Sequence, residues 1–171
     1  MRYMERGGFQ GQPLMRLTLG LTFGLLLLFW VTDFAMYFSR MSLAPSSVVT
    51  YYMGSEADFR PPRSPESMLE TAHMHLPMMA VVLLLLTHLS IFAPLPPRAR
   101  PALIMAAFVS AVLDEGGGWL VRFVQPAFAP VKVIGFMGLQ LTILVLLASL
   151  ALLLFNGARA GRPPEAPPPA P

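Results

Sequence analysis

Residues 131–155 read VKVIGFMGLQLTILVLLASLALLLF, an apolar run whose one charge is Lys132. At about 1.5 Å of helical rise per residue, roughly 20 residues cover the ~30 Å hydrocarbon core of a bilayer, and this stretch is long enough. Working outward, three further runs have the same character: 17–38, 73–93 (with VVLLLLTHLSIF at 81–92) and 101–124. Their apolar residues fall in continuous blocks and not in amphipathic stripes, which marks an integral membrane protein. Only 12% of the 171 residues are charged, against roughly 25% in soluble domains, and 55% are hydrophobic. The expected fold is therefore all-α, a four-helix membrane bundle in contact with the lipid bilayer. An outer loop at 39–64 and a Pro/Ala-rich disordered tail at 156–171 complete the expected organisation. The third span is interrupted by Asp-Glu-Gly-Gly-Gly at 114–118, which predicts a helix broken at Gly116, Gly117 and Gly118.

Orientation follows from the basic residues. With the N-terminus inside, the inner segments hold Arg2, Arg6, Arg16, Arg98, Arg100, Arg159 and Arg162. The outer ones hold Arg40, Arg60, Arg63, Arg122 and Lys132, together with Glu56, Asp58, Glu66 and Glu70. The bias places both termini in the cytoplasm. The first run is too long for a signal-peptide core, and its cleavage candidate Ser42-Leu43-Ala44 precedes Pro45, so an uncleaved span is expected. The net charge of +3 expresses this topology; no basic and aromatic motif points to nucleic acid.

Depth decides where the polar residues meet. Ser64-Pro65-Glu66 is a helix start, with serine as cap and proline at the first position, so the second helix begins about two turns above the membrane. Asp33 lies about 8 Å below the outer boundary of the first span. Asp114 and Glu115 fall in the outer half of the third span, and His73 and His75 at the mouth of the second. Ionisable groups inside a bilayer are expensive and face the bundle interior or water, which predicts a shared polar site in the outer half.

The absence of cysteine excludes disulfides, thiolate metal sites and thiol nucleophiles, leaving His73, His75 and His88 with nine carboxylates. His73-Met74-His75-Leu76-Pro77-Met78 is dense in imidazole and thioether, which suits copper, while imidazole with Glu70, Asp33, Asp114 or Glu115 suits zinc or iron. Methionine is equally a plain membrane filler. Glu70-Thr71-Ala72-His73 is half of a di-iron signature with no second half in the chain. Haem b is the rival, with a His–His or His–Met axial pair, although every histidine lies on the second helix. His88, alone in an apolar stretch, suits a hydrogen bond to Gln140 or Thr142. Gly20 and Gly24 form a Gly-x-x-x-Gly on the first span, a packing motif with many false positives. No phosphate loop, dinucleotide fingerprint, nucleophile elbow or HExxH is present, so an enzyme acting by itself on a soluble substrate is not expected.

The run from Glu70 to Met78, with His88, the Ala93-Pro94 turn and DEGGGWLVRFV at 114–124, resembles a family of small bacterial inner-membrane proteins. Those have four predicted spans and a His-x-His opening the second. The resemblance implies a multi-pass protein of the bacterial inner membrane and supports the choice of His73 and His75; it implies no reaction. Three functions stay open. The first is a metal- or haem-binding membrane subunit linked to electron transfer, with His73, His75 and His88 as ligands and Glu70, Asp33, Asp114, Glu115, Met74 and Met78 beside them. The second is a non-catalytic accessory or assembly subunit, joined to other membrane subunits or to further copies of itself. The third is a small ion or proton transporter.

Overall fold

In a computed structural model, which describes residues 12–93 and 95–160, every long apolar run is a helix. The elements are α1 (Pro13–Arg40), α2 (Pro45–Met53), α3 (Pro65–Ser90), α4 (Ala99–Phe123), a 3-10 turn (Pro126–Phe128) and α5 (Ala129–Ala160). Four of them are long and apolar enough to cross a membrane. No strand occurs among the described residues, and the chain is an all-α membrane bundle. Arg2, Arg6, Arg162, Pro94 and the tail from residue 161 lie outside the described residues.

Local chemistry sets the helix ends. The Ser64 hydroxyl accepts from the Ser67 backbone N–H at 3.2 Å, and Pro65 occupies the first turn where its missing N–H costs nothing. α1 and α2 also begin on proline, Pro13 and Pro45. α3 runs unbroken through Pro77, and α5 continues past 155 to Ala160.

α5 is the hub. Half of its apolar window is buried, against 11% for α1, because α1, α2, α3 and α4 all pack on it while α1 packs appreciably on nothing else. The α4–α5 seam is the tightest. A Cβ on Gly117 would come within 2.7 Å of the Lys132 Cα, one on Gly135 would strike the Asp114 backbone nitrogen, and one on Gly138 would meet the Ser110 hydroxyl. Small residues let the two backbones touch, which is how membrane helices gain packing where lipid supplies no hydrophobic contrast. A Cβ on Gly20 or Gly24, by contrast, would meet nothing within 4 Å among the described residues.

The expected break in the third span does not occur: α4 is continuous through Gly116, Gly117 and Gly118. Inside a bilayer an interrupted helix strands its amides and carbonyls, so an unbroken ladder outweighs the poor helix propensity of glycine. Gly117 and Gly118 are packing sites, against Lys132 and the Tyr52 ring respectively.

Two apolar clusters divide the bundle by height. Near α2, Tyr37, Met41, Val48, Val121, Ala129 and Phe136 pack together, with the Tyr37 and Phe136 rings stacked at 3.6 Å between centroids. Toward the other end a leucine-rich core, centred on Leu83, Leu86, Leu146 and Leu150, fills the interior.

Candidate functional site

Between α1 and α3, floored by α5 and backed by α4, lies a cavity of about 220 Å³. It exists because α1 and α3 each lean on α5 without substantial contact with each other. Asp33 of α1, His75 of α3, Asp114 and Glu115 of α4, and Lys132 of α5 line its middle, and Arg40 and Arg63 line its rim.

Their pairing follows from the seam. Because the backbones of α4 and α5 touch at Gly117 and Gly135, Lys132 is carried over Asp114, and its Nζ lies 2.6 Å from the Asp114 Oδ1. Lys132 is 8% exposed, a buried cation whose charge is met at short range. His75 Nδ1 lies 3.6 Å from Glu115 Oε2, a charge-pair separation longer than a hydrogen bond. Asp33 meets no cation among the described residues. Its Oδ2 accepts from the neutral Gln140 side-chain amide at 2.5 Å, and the Trp30 indole donates to the Gln140 backbone carbonyl at 3.2 Å. The Gln140 side-chain oxygen is buried without a partner among the described residues.

Above this level the wall turns aromatic and cationic. Tyr52 packs its hydroxyl over Gly118, and burial pushes that hydroxyl above the usual tyrosine range, with Lys132 nearby opposing the shift. The Arg63 guanidinium sits 5.4 Å from the Tyr51 ring centre, and its backbone carbonyl accepts from Arg122 Nε at 2.8 Å. Arg40 lines the same rim. Below, Met79, Val82, Leu83, Leu139 and Ile143 make an apolar floor. Beneath that floor, Thr87, Ser90, Thr142 and Ser149 turn their hydroxyls onto carbonyls of their own helices, and Leu86, Leu146 and Leu150 close the core.

The structure thus brings together Asp33, His75, Asp114 and Glu115 of the expected residues, with Met78 on the cavity wall. It does not bring in the others. Glu70 and His73 are exposed on the opposite face of α3, where the rotation of about 200° between positions 73 and 75 puts them. Met74 is 73% exposed. His88 is exposed too and meets the Phe92 ring edge-on; the partners expected for it, Gln140 and Thr142, are bonded to Asp33 and to the Gly138 and Leu139 carbonyls. Among the described residues no group of three His, Cys, Asp or Glu side chains is placed to hold a metal ion.

Sequence reasoning missed Lys132, Gln140 and Tyr52. The signal for Lys132 was available: a lysine at the head of the most apolar run needs a carboxylate at its own depth, and Asp114 is that carboxylate.

Comparison with known proteins adds a family. No curated protein and no solved structure matches the chain. A family described as a transmembrane helical domain, Aq_1264_TM, matches residues 42–161, which takes in α2 to α5 with His75, Asp114, Glu115 and Lys132 of the cavity but not α1 with Asp33. That match spans well over half of the sequence and agrees with the four apolar helices: the chain belongs to the Aq_1264_TM family of transmembrane helical domains.

Proposed function

We propose that this small integral membrane protein is a ligand-binding subunit, whose cavity takes a small amphiphilic molecule at the α2 end of the bundle. One observation carries the reading: a cavity of about 220 Å³ in which ionisable side chains from four helices stand directly above an apolar floor. A polar head on Asp33, His75 and Glu115, with an apolar body against Val82, Leu83 and Ile143, matches that lining. The leucine core beneath favours a one-sided binding site over a transport path. Electron transfer through haem or a metal is less favoured, since only His75 of the three histidines reaches the cavity.

A second reading has its own observation. Each polar contact ties a different pair of helices: Asp33–Gln140 joins α1 to α5, His75–Glu115 joins α3 to α4, and Lys132–Asp114 joins α5 to α4. An accessory subunit needs no more than such ties. Native mass spectrometry of the purified protein, beside its His75→Ala and Glu115→Gln variants, separates the two. The binding reading expects a co-purifying small molecule that the variants release while their unfolding temperature holds. Weakened variants with no bound mass in any sample support the accessory reading instead. An oxidised-minus-reduced visible spectrum of the same preparation tests haem; a sharp alpha and Soret pair would replace both readings with a small cytochrome.

A further inference from the structure

On the cavity rim Arg63 holds a buried, charged donor with no acceptor, and we infer from this that the ligand is an amphiphilic anion, its carboxylate or phosphate head on Arg63 and its apolar chain below. The inference rests on the binding reading above and names the ligand class of the same site. Inside the cavity each carboxylate already has a donor: Lys132 stands on Asp114, His75 faces Glu115, and the Gln140 amide meets Asp33. The rim is different. Arg40 and Arg63 line it, and neither forms an ion pair among the described residues. The Arg63 Nε is buried and has no hydrogen-bond partner among them. A charged donor shut away from water without an acceptor is costly, and an oxyanion beside it removes that cost.

The loop before α3 fixes this arginine in place. Its backbone N–H donates to the Tyr52 carbonyl at 3.0 Å, and its own carbonyl accepts from Arg122 Nε at 2.8 Å. The chain reaches it through the Ser55–Arg60 bridge and Pro61-Pro62, which pass so close to Gly54 that a Cβ there would strike the Arg60 carbonyl. Gly54 also has φ +83°, a backbone conformation that glycine alone adopts freely. The Tyr51 ring covers one face of the guanidinium at 5.4 Å, which leaves the edge for a ligand. Along that edge Nε and a neighbouring Nη match two oxygens of a carboxylate or phosphate side by side. Arg40, at the end of α1, adds a second positive charge to the rim. Below the head, a neutral hydroxyl or amide suits the level of Asp33, His75 and Glu115, and an apolar chain ends on Val82, Leu83 and Ile143. From Pro65 to Val82 α3 rises about 25 Å, so that chain has to be long.

Four probes of equal chain length isolate the head: dodecanoate, dodecyl phosphate, dodecanol and dodecylamine, titrated at pH 8 into the full-length protein in zwitterionic lipid nanodiscs, with the unfolding midpoint as readout. The expected result is that at least one anion raises the midpoint at a concentration about tenfold lower than the alcohol or the amine, the scale of one charge-assisted hydrogen bond. Arg63→Gln is expected to abolish this preference, and Arg98→Gln, on an exposed residue at the start of α4, to keep it. The stronger anion names the source: dodecyl phosphate a lipid phosphate, dodecanoate a free fatty acid. Where Arg63→Gln yields no folded protein, Arg40→Gln carries the same comparison. Equal responses to all four probes, a preference for dodecanol or dodecylamine, or an anion preference that Arg63→Gln retains would each overturn the assignment and leave a binding cavity standing. No response to any probe overturns the cavity reading with it.

Discussion

Lys132 shows what one side chain costs and holds at this depth. It is buried, and its charge is met by Asp114 at 2.6 Å, so each member of the pair makes the other tolerable. Removing one partner leaves an unpaired charge away from water, which costs about 3–5 kcal/mol, whereas replacing both with apolar groups of similar volume is close to neutral. Lys132→Met is therefore expected to lower stability by about that amount, and Lys132→Met with Asp114→Leu to recover most of it. Reversible unfolding in mixed micelles reads the difference; a double variant as weak as the sum of its singles would show that the pair does not act as a unit. The depth argument reached Asp33, His75, Asp114 and Glu115 because each lies well inside a helix that had to cross the membrane. It passed over Lys132, which heads its apolar run and reads as a boundary charge until α4 is seen against α5. The side of α3 that carries His73 was equally invisible, because a helix apolar all round does not announce which face it buries.

α4 is the element on which propensity and packing disagree most. Three successive glycines read as a break, yet at two of them a neighbouring element comes too close for a Cβ, Lys132 of α5 at Gly117 and Tyr52 of α2 at Gly118. Gly116 and Gly117, with Gly135 facing α4 from α5, therefore make a graded test. Gly117→Ala drives a methyl into the Lys132 backbone and Gly135→Ala drives one into that of Asp114, each expected to cost about 1–3 kcal/mol in the same unfolding measurement. Gly116→Ala meets nothing within 4 Å and is expected to be neutral or stabilising by up to about 1 kcal/mol, through helix propensity alone. Equal losses at all three positions would mean that helix continuity, and not the seam, is what the glycines serve. The Gly-x-x-x-Gly on α1 teaches the converse lesson, since Gly20 and Gly24 carry the familiar spacing and a Cβ on either would meet nothing within 4 Å among the described residues. Spacing identifies a close approach only when the opposing element also presents small groups, as Gly135 and Gly138 of α5 do toward α4.

For the molecule as a whole, four crossings were legible because run length and charge content are properties of the sequence alone. The cavity was legible only as shared depth: its walls depend on α1 and α3 standing apart on α5, a tertiary fact with no local signal. Its location on one side of the leucine core makes topology decisive, since that fixes which compartment or leaflet the cavity opens toward. The basic-residue bias predicts that α2 and the cavity mouth face outward and that the turn before α4 faces the cytoplasm. The chain has no cysteine, so single-cysteine variants report without background. Asp58 and Ala99 are both exposed, at the α2 end and at the start of α4. In spheroplasts of a bacterial host, a membrane-impermeant maleimide is expected to label Asp58→Cys at once and Ala99→Cys only after permeabilisation. The reverse pattern would turn the cavity toward the cytoplasm and make its ligand a molecule of the inner leaflet, even though every contact within the bundle stayed the same.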